Sequence, residues 1–170
     1  MSAITALPLP EYALLTRYVG DGSYADCYVT EIPGSYSQAE FVAAFYTTWL
    51  FKLERAILKW LVAKPSTDDE AAQLARGGRH SFAAWTVEAS APNQLLMCDF
   101  LGNTRSWFMI EPRHDGGVTR LYFGSAVVAR EADDGTRRLG LSFRALLGFH
   151  RRYSRALLSA ARARLTTTGV

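Results

Sequence analysis

The stretch SFAAWTVEASAPNQLLMCDFLGNTRSWFMIEPRHDGGVTRLYFGSAVVAR, Ser81–Arg130, decides the fold. Aromatic and β-branched residues fill it, and turn-forming residues interrupt it at Ala91-Pro92-Asn93, Gly102-Asn103 and Asp115-Gly116-Gly117. Pro presets φ, while Gly and Asn accept left-handed backbone, so each interruption reads as a hairpin turn. The spacing predicts four antiparallel strands in a meander.

Short turns fix the register, and register assigns faces, because side chains alternate along a strand. A two-residue turn at Gly102-Asn103 sets Phe100 opposite Arg105 and Cys98 opposite Trp107. A tight turn around Pro92 sets Trp85 opposite Cys98, and the third turn sets Trp107 opposite Phe123 and Met109 opposite Leu121. One face then carries Trp85, Cys98, Arg105, Trp107, Met109 and Phe123, and the other carries Asp99, Ser106, Phe108, Ile110 and Tyr122. The first face is the more apolar and is expected to meet the helices.

Upstream, Tyr24–Ile32 (YADCYVTEI) alternates as a strand and stops at Pro33-Gly34. Ser37 with Glu40 forms a capping box that opens a helix running to about Ala63. Its expected buried face is Val42, Tyr46, Trp49, Leu53, Ile57 and Trp60, and its polar stripe is Thr48, Lys52, Arg55 and Lys59. A second box, Thr67 with Glu70, opens a shorter helix closed by Gly77-Gly78. Residues 1–22 read as a loosely ordered lead-in, and residues 23–170 as one domain. After a polar loop, Glu131–Arg138, a last helix spans about Leu141 to Leu165, with Phe143, Leu146, Leu147, His150, Tyr153, Leu157 and Ala161 along one side. The expected fold class is α+β: a curved antiparallel sheet of about five or more strands around a long C-terminal helix, with two helices after the first strand.

One strand, two helices, an antiparallel meander and the closing run FRALLGFHRRYSRALLSAARARL (Phe143–Leu165) resemble the helix-grip arrangement of the SRPBCC superfamily, which includes START, polyketide-cyclase and Bet v 1-like proteins. The likeness covers nearly the whole chain and rests on element order, from the Pro33-Gly34 break and its capped aromatic helix onward. About five strands are countable where that superfamily commonly has six or seven. The resemblance implies a hydrophobic cavity between sheet and C-terminal helix, and it brings no universal catalytic residues.

A chain of 170 residues with 49% hydrophobic and 21% charged residues has room for one sizeable core. The basic residues are lopsided, 16 Arg against Lys52, Lys59 and Lys64, yet the net charge of +3 is too weak a field to steer nucleic acid. Abundant Ala points instead to a compositional bias. The arginines of the last helix lack interleaved aromatics, so no nucleic-acid partner is expected. Pro8 and Pro10 interrupt any signal-peptide core, and Lys52, Glu54, Arg55 and Lys59 exclude a lipid-facing helix between Phe41 and Ala63, so neither secretion nor membrane insertion is expected. Cys27 and Cys98 lie in apolar strands without metal-ligand spacing, which reads as buried reduced thiols in a cytoplasmic protein. His80 and His114 flank turns without a second ligand, so no metal or cofactor is expected.

The candidate ligand-binding residues are Trp85, Cys98, Arg105, Trp107, Met109 and Phe123 on the sheet, beneath His150 and Tyr153 on the helix. Arg105 either clamps a ligand carboxylate, stacks on Trp107, or sits at the sheet rim and reaches water. His150 suits acid–base chemistry by its ordinary pKa, and equally suits a helix surface. The leading expectation is binding of a small hydrophobic or aromatic ligand. The alternatives are a cyclase or dehydratase using Arg105 with His150 or Tyr153, and an interaction protein that dimerises through exposed Phe108, Ile110 and Tyr122.

Overall fold

The computed structural model describes residues 3–20, 22–53, 55, 66–113, 117–131, 137–139 and 141–168, without the side chains of 131, 137, 138, 141–146 and 168. The strands are β1 (Thr5–Ala6), β2 (Tyr24–Pro33), β3 (Ser81–Phe82), β4 (Trp85–Ala91), β5 (Gln94–Asp99), β6 (Thr104–Pro112), β7 (Val118–Val127), β8 (Arg130–Glu131) and β9 (Arg137–Arg138). The helices are α1 (Gln38–Tyr46), α2 (Asp68–Ala75) and α3 (Leu141–Thr168). Seven strands make one open antiparallel sheet in the order β1-β2-β7-β6-β5-β4-β3, and β8 pairs separately with β9. Helices α1 and α2 follow β2, and α3 packs on the sheet, as the α+β pattern predicts.

Both capping boxes form. Ser37 Oγ accepts the Glu40 amide and Thr67 Oγ1 accepts the Glu70 amide, each with the carboxylate returning to the cap. Helix α1 is shorter than expected. Thr47 and Thr48 donate their hydroxyls to Ala43 and Phe45 carbonyls, and Thr48 Oγ1 then accepts the Phe51 amide as the cap of a new helical stretch over 49–53. That break rotates the helix face: Trp49 (73% exposed) and Leu53 turn outward, while Phe51 and Arg55 are buried. Arg55, expected on the polar stripe, instead bonds Ser66 and Asp68 and lies over the Phe82 ring. The expected Ile57, Lys59 and Trp60, the ends at Ala63 and Pro65, His114 and the 115–116 turn lie outside the described residues, as do the side chains of Arg144, Phe143 and Leu146.

Two apolar layers cover the sheet, one on each face. Tyr28, Leu95, Met97, Phe108 and Phe123 face α1 and α3, where Phe45 contacts the Phe108 and Phe123 rings at 4.7 Å each. Cys27, Leu96, Trp107, Met109, Tyr122 and Ala126 face the other way, under Ala13 and Leu15. Leu15 belongs to a 3-10 turn at Leu14–Tyr18, so the lead-in is a packed cover, contrary to its expected loose order. Gly124 permits this contact: a Cβ there would lie 2.8 Å from the Asp26 carbonyl and 3.0 Å from both Leu15 and Trp107.

The register differs from the sequence expectation. Phe108 opposes Phe123, where Trp107 was expected to. Trp85 opposes Asp99, where Cys98 was expected, and a bulge lies between Val87 and Ala89. Each is an odd slip, and an odd slip moves a strand's side chains to the opposite face. Cys98 opposes Arg105, a slip of two that leaves faces unchanged. Phe108, Ile110 and Tyr122, expected to be exposed, are all buried within the single chain, which removes the sequence argument for a dimer.

Candidate functional site

The corrected register divides the expected site. Phe123, His150 and Tyr153 lie on the helix side, and half-buried Trp85 packs against the same layer. Trp107 and Met109 are fully buried on the opposite face, where the Trp107 indole N–H donates to Gln94 Oε1 at 2.8 Å. Cys98 and Arg105, cross-strand neighbours, share that face. Arg105 donates to Glu88, to the Tyr18 hydroxyl at 3.0 Å and to the Gly102 carbonyl, and it lies 4.7 Å from the Tyr18 ring centre. It neither stacks on Trp107 nor faces the helices. Asp99, expected across from Ser106, accepts the Asn103 and Thr104 amides and closes the β5–β6 loop.

On the helix face, three cross-strand pairs align into rows. Leu95, Phe108, Phe123 and Tyr28 form an aromatic row, each opposite the next. The adjacent row reads Met97, Ser106, Ser125 and Asp26 by the same pairings. Three polar side chains thus stand beside the core on the adjacent strands β6, β7 and β2. Sequence reading singled out none of the three and set Ser106 on the opposite face, because register decides which side a strand residue takes. The one available signal was Asp26 sharing its alternation with Tyr24, Tyr28 and Ile32.

Asp26 collects three donors. The Ser125 hydroxyl donates to Oδ1 at 2.6 Å, the Ser125 amide to the same oxygen at 3.1 Å, and the Tyr24 hydroxyl to Oδ2 at 2.9 Å. Arg151 Nε in turn donates to the Tyr24 oxygen at 3.1 Å. His150, reaching down from α3, places Nε2 at 2.8 Å from Ser125 Oγ and 3.7 Å from Asp26 Oδ2. A serine hydroxyl has one proton, and Asp26 takes it, so Ser125 accepts from His150 and the imidazole carries its hydrogen on Nε2. Burial lowers the His150 pKa, Asp26 opposes that shift, and Arg151 adds to it. Burial, then Asp26, raises the Tyr28 hydroxyl next along the strand.

This geometry constrains the chemistry. Ser, His and Asp are the residue types of a nucleophilic relay, but a relay needs an imidazole that accepts the serine proton. Here the proton points at Asp26, so the cluster holds the hydroxyl in place and His150 does not activate it. Ser106 differs from its neighbours. The residue is half-buried and its hydroxyl makes no hydrogen bond among the described residues. Burial also raises the Cys98 thiol, so it is no ready nucleophile. No cluster of His, Cys, Asp and Glu suited to a metal occurs among the described residues, and no helix among them is long and apolar enough to cross a membrane. The chain matches no protein-family model and has no significant match among curated proteins.

Proposed function

We propose that the protein has a cleft between the sheet and α3 and there binds a small apolar or aromatic ligand with a hydroxyl or carbonyl head. The carrying observation is the polar row Ser106–Ser125–Asp26 lying directly beside the aromatic row Phe108–Phe123–Tyr28. A pocket of this kind offers apolar contact to the body and a few fixed polar groups to the head. Half-buried Trp85 and Tyr153 border the buried aromatic layer, and the Ser106 hydroxyl supplies the unspent donor and acceptor. Of the expected ligand-binding set, this reading keeps Trp85, Phe123, His150 and Tyr153 and leaves out Cys98, Arg105, Trp107 and Met109.

The sheet with one long helix against it is compatible with a helix grip, and kinship with the SRPBCC superfamily is part of the proposal. So is a reducing, cytoplasmic setting, in which both free cysteines stay reduced.

The test is native mass spectrometry of protein purified without denaturation, followed by titration with flavonoids, aromatic polyketides and fatty acids. A retained or saturably bound compound that quenches Trp85, lost in Ser106→Phe at unchanged melting temperature, is the expected result. Wild-type binding that survives Ser106→Phe would place the ligand elsewhere. No binding across the panel and no co-purified compound would remove the proposal.

A cyclase or dehydratase reading is favoured by one observation, the His150 imidazole, whose pKa burial lowers and whose Nε2 sits 2.8 Å from Ser125 Oγ on the helix-facing side of the sheet. Binding that persists in His150→Asn while product formation stops would favour it over simple carriage.

A further inference from the structure

A concave surface lies away from the polar row, at the edge of β2. The ladder between β1 and β2 has two residue pairs, Thr5 with Val29 and Ala6 with Tyr28, and one further bond from the Leu7 amide to the Cys27 carbonyl. Pro8 has no N–H to give, and the lead-in turns away across the sheet. Backbone groups on a strand point alternately to its two sides. Since the Cys27 carbonyl points outward to Leu7, the Ala25 amide and carbonyl point outward as well, past the end of β1. A groove of about 740 Å³ lies along this edge, with Leu7, Leu9, Val19, Ala25 and Cys27 among its lining and Glu11 at its border. Leu7 and Val19 are exposed, 42% and 61%.

The opposite edge of the sheet contrasts with this one. There β3 covers the start of β4, the Val87 amide donates to the His80 carbonyl, and a bulge interrupts the strand at Val87/Ala89. Bulges and short covering strands are how sheets block unwanted pairing. The β2 edge has regular extended backbone and a concave apolar wall instead.

We propose that this edge is a docking site for an extended peptide that continues the β1 ladder antiparallel to β2. The register is set by continuity: the pair Thr5–Val29 and the Leu7–Cys27 bond lead to a peptide residue opposite Ala25, and the residue two places later passes the start of β2 at Tyr24. Ala25 packs on the lead-in side of the sheet, so the residue opposite it drops its side chain onto the Leu9 and Val19 wall and is apolar. The residue two places on lies past the strand end, where the groove is bordered by the Glu11 carboxylate, which makes it basic. The recognised pattern, in chain order, is apolar–any–Lys or Arg.

The probe is a pool of blocked pentapeptides Thr-X-Thr-Lys-Thr, with X Val, Leu, Ile or Phe, titrated into 15N-labelled full-length protein. Saturable shifts of the Ala25 and Cys27 amides are expected. Methylating the amide nitrogen of X removes its donor to Ala25 and weakens binding about tenfold or more. Glu11→Lys weakens the pool about threefold to tenfold and favours the same peptides with Glu in place of Lys. Glu11 is exposed and makes no hydrogen bond or ion pair among the described residues, so this variant tests docking without testing folding. Equal binding of the methylated pool, an unchanged preference in Glu11→Lys, or no saturable shift overturns the proposal. Shifts confined to Ser106 and Ser125 would report the ligand cleft instead.

Discussion

The Ser125 hydroxyl donates to Asp26 Oδ1 at 2.6 Å, and this one direction of donation sets the state of the whole polar cluster. Because the proton is committed, His150 acts as donor to Ser125 and its hydrogen sits on Nε2. Nitrogen NMR of labelled protein at neutral pH is expected to show that tautomer. Fluorophosphonate probes are expected to leave Ser125 unlabelled, and rapid labelling of Ser125 would contradict the assignment.

Replacing Ser125 with Ala leaves Asp26 with the Ser125-position amide and Tyr24, so one charge-assisted bond is lost in a half-buried setting. Such a loss costs about 1.5–3 kcal/mol. Asp26→Asn keeps the shape but weakens all three bonds, and is expected to destabilise by a similar amount while releasing the serine proton toward His150. Chemical denaturation of both variants measures the costs, and the tautomer ratio reads the release.

His150 makes the fold sensitive to mild acid. Its pKa in the native state is lowered, chiefly by burial, so the unfolded chain binds the proton more readily. The stabilisation is complete above the unfolded value near 6.5 and is lost as pH falls through the native value, with a slope of at most about 1.4 kcal/mol per pH unit. Denaturation midpoints measured between neutral pH and pH 5 are expected to fall in the wild type. In His150→Phe that component of the fall is expected to disappear, and an unchanged profile would assign it to the carboxylates.

The elements were largely legible in the sequence, while the faces were not. Ser37, Glu40, Thr67 and Glu70 announce two helix starts because caps are local chemistry. Strand parity is different, because LLMC in β5 and WFMI in β6 are apolar at every position. Such strands are buried on both faces and offer no alternation from which to judge register. The second cover is the lead-in, whose packing depends on Leu15 reaching Gly124, a contact distant in sequence. Once the parity slipped, Arg105 and Trp107 were placed on the helix-facing side, and Ser106 on the other.

Arg105 should therefore matter for stability and not for the ligand. It is paired with Glu88 and Tyr18, with side-chain exposures of 12% for Arg105 and 20% for Glu88. Arg105→Met leaves Glu88 with the Tyr18 hydroxyl at 2.6 Å and the more distant Arg17 at 3.6 Å, and is expected to cost about 1.5–3 kcal/mol. Ligand affinity in the cleft, measured by Trp85 quenching below the new melting temperature, is expected to stay within about twofold of wild type. A selective loss of affinity for carboxylated ligands would return Arg105 to the site.

The contact between Gly124 and Leu15 predicts how the lead-in is held. Gly124→Ala puts a methyl within 2.8 Å of the Asp26 carbonyl, which cannot yield without moving β2. It also meets Leu15 and Trp107 at 3.0 Å, so the cheapest relaxation lifts Leu15 away. Overpacking of this kind costs about 1–3 kcal/mol. Leu15→Ala removes the cover from the other side and costs about 2–5 kcal/mol. Both variants are expected to expose Trp107, now fully buried, to water. The signature is red-shifted emission that persists in the Trp85→Phe background, together with earlier proteolysis between Leu9 and Val19. Because Leu15 lies on the face opposite α3, the tautomer of His150 should not change in Leu15→Ala. A change there would mean that the two layers of the sheet are coupled through β7 itself.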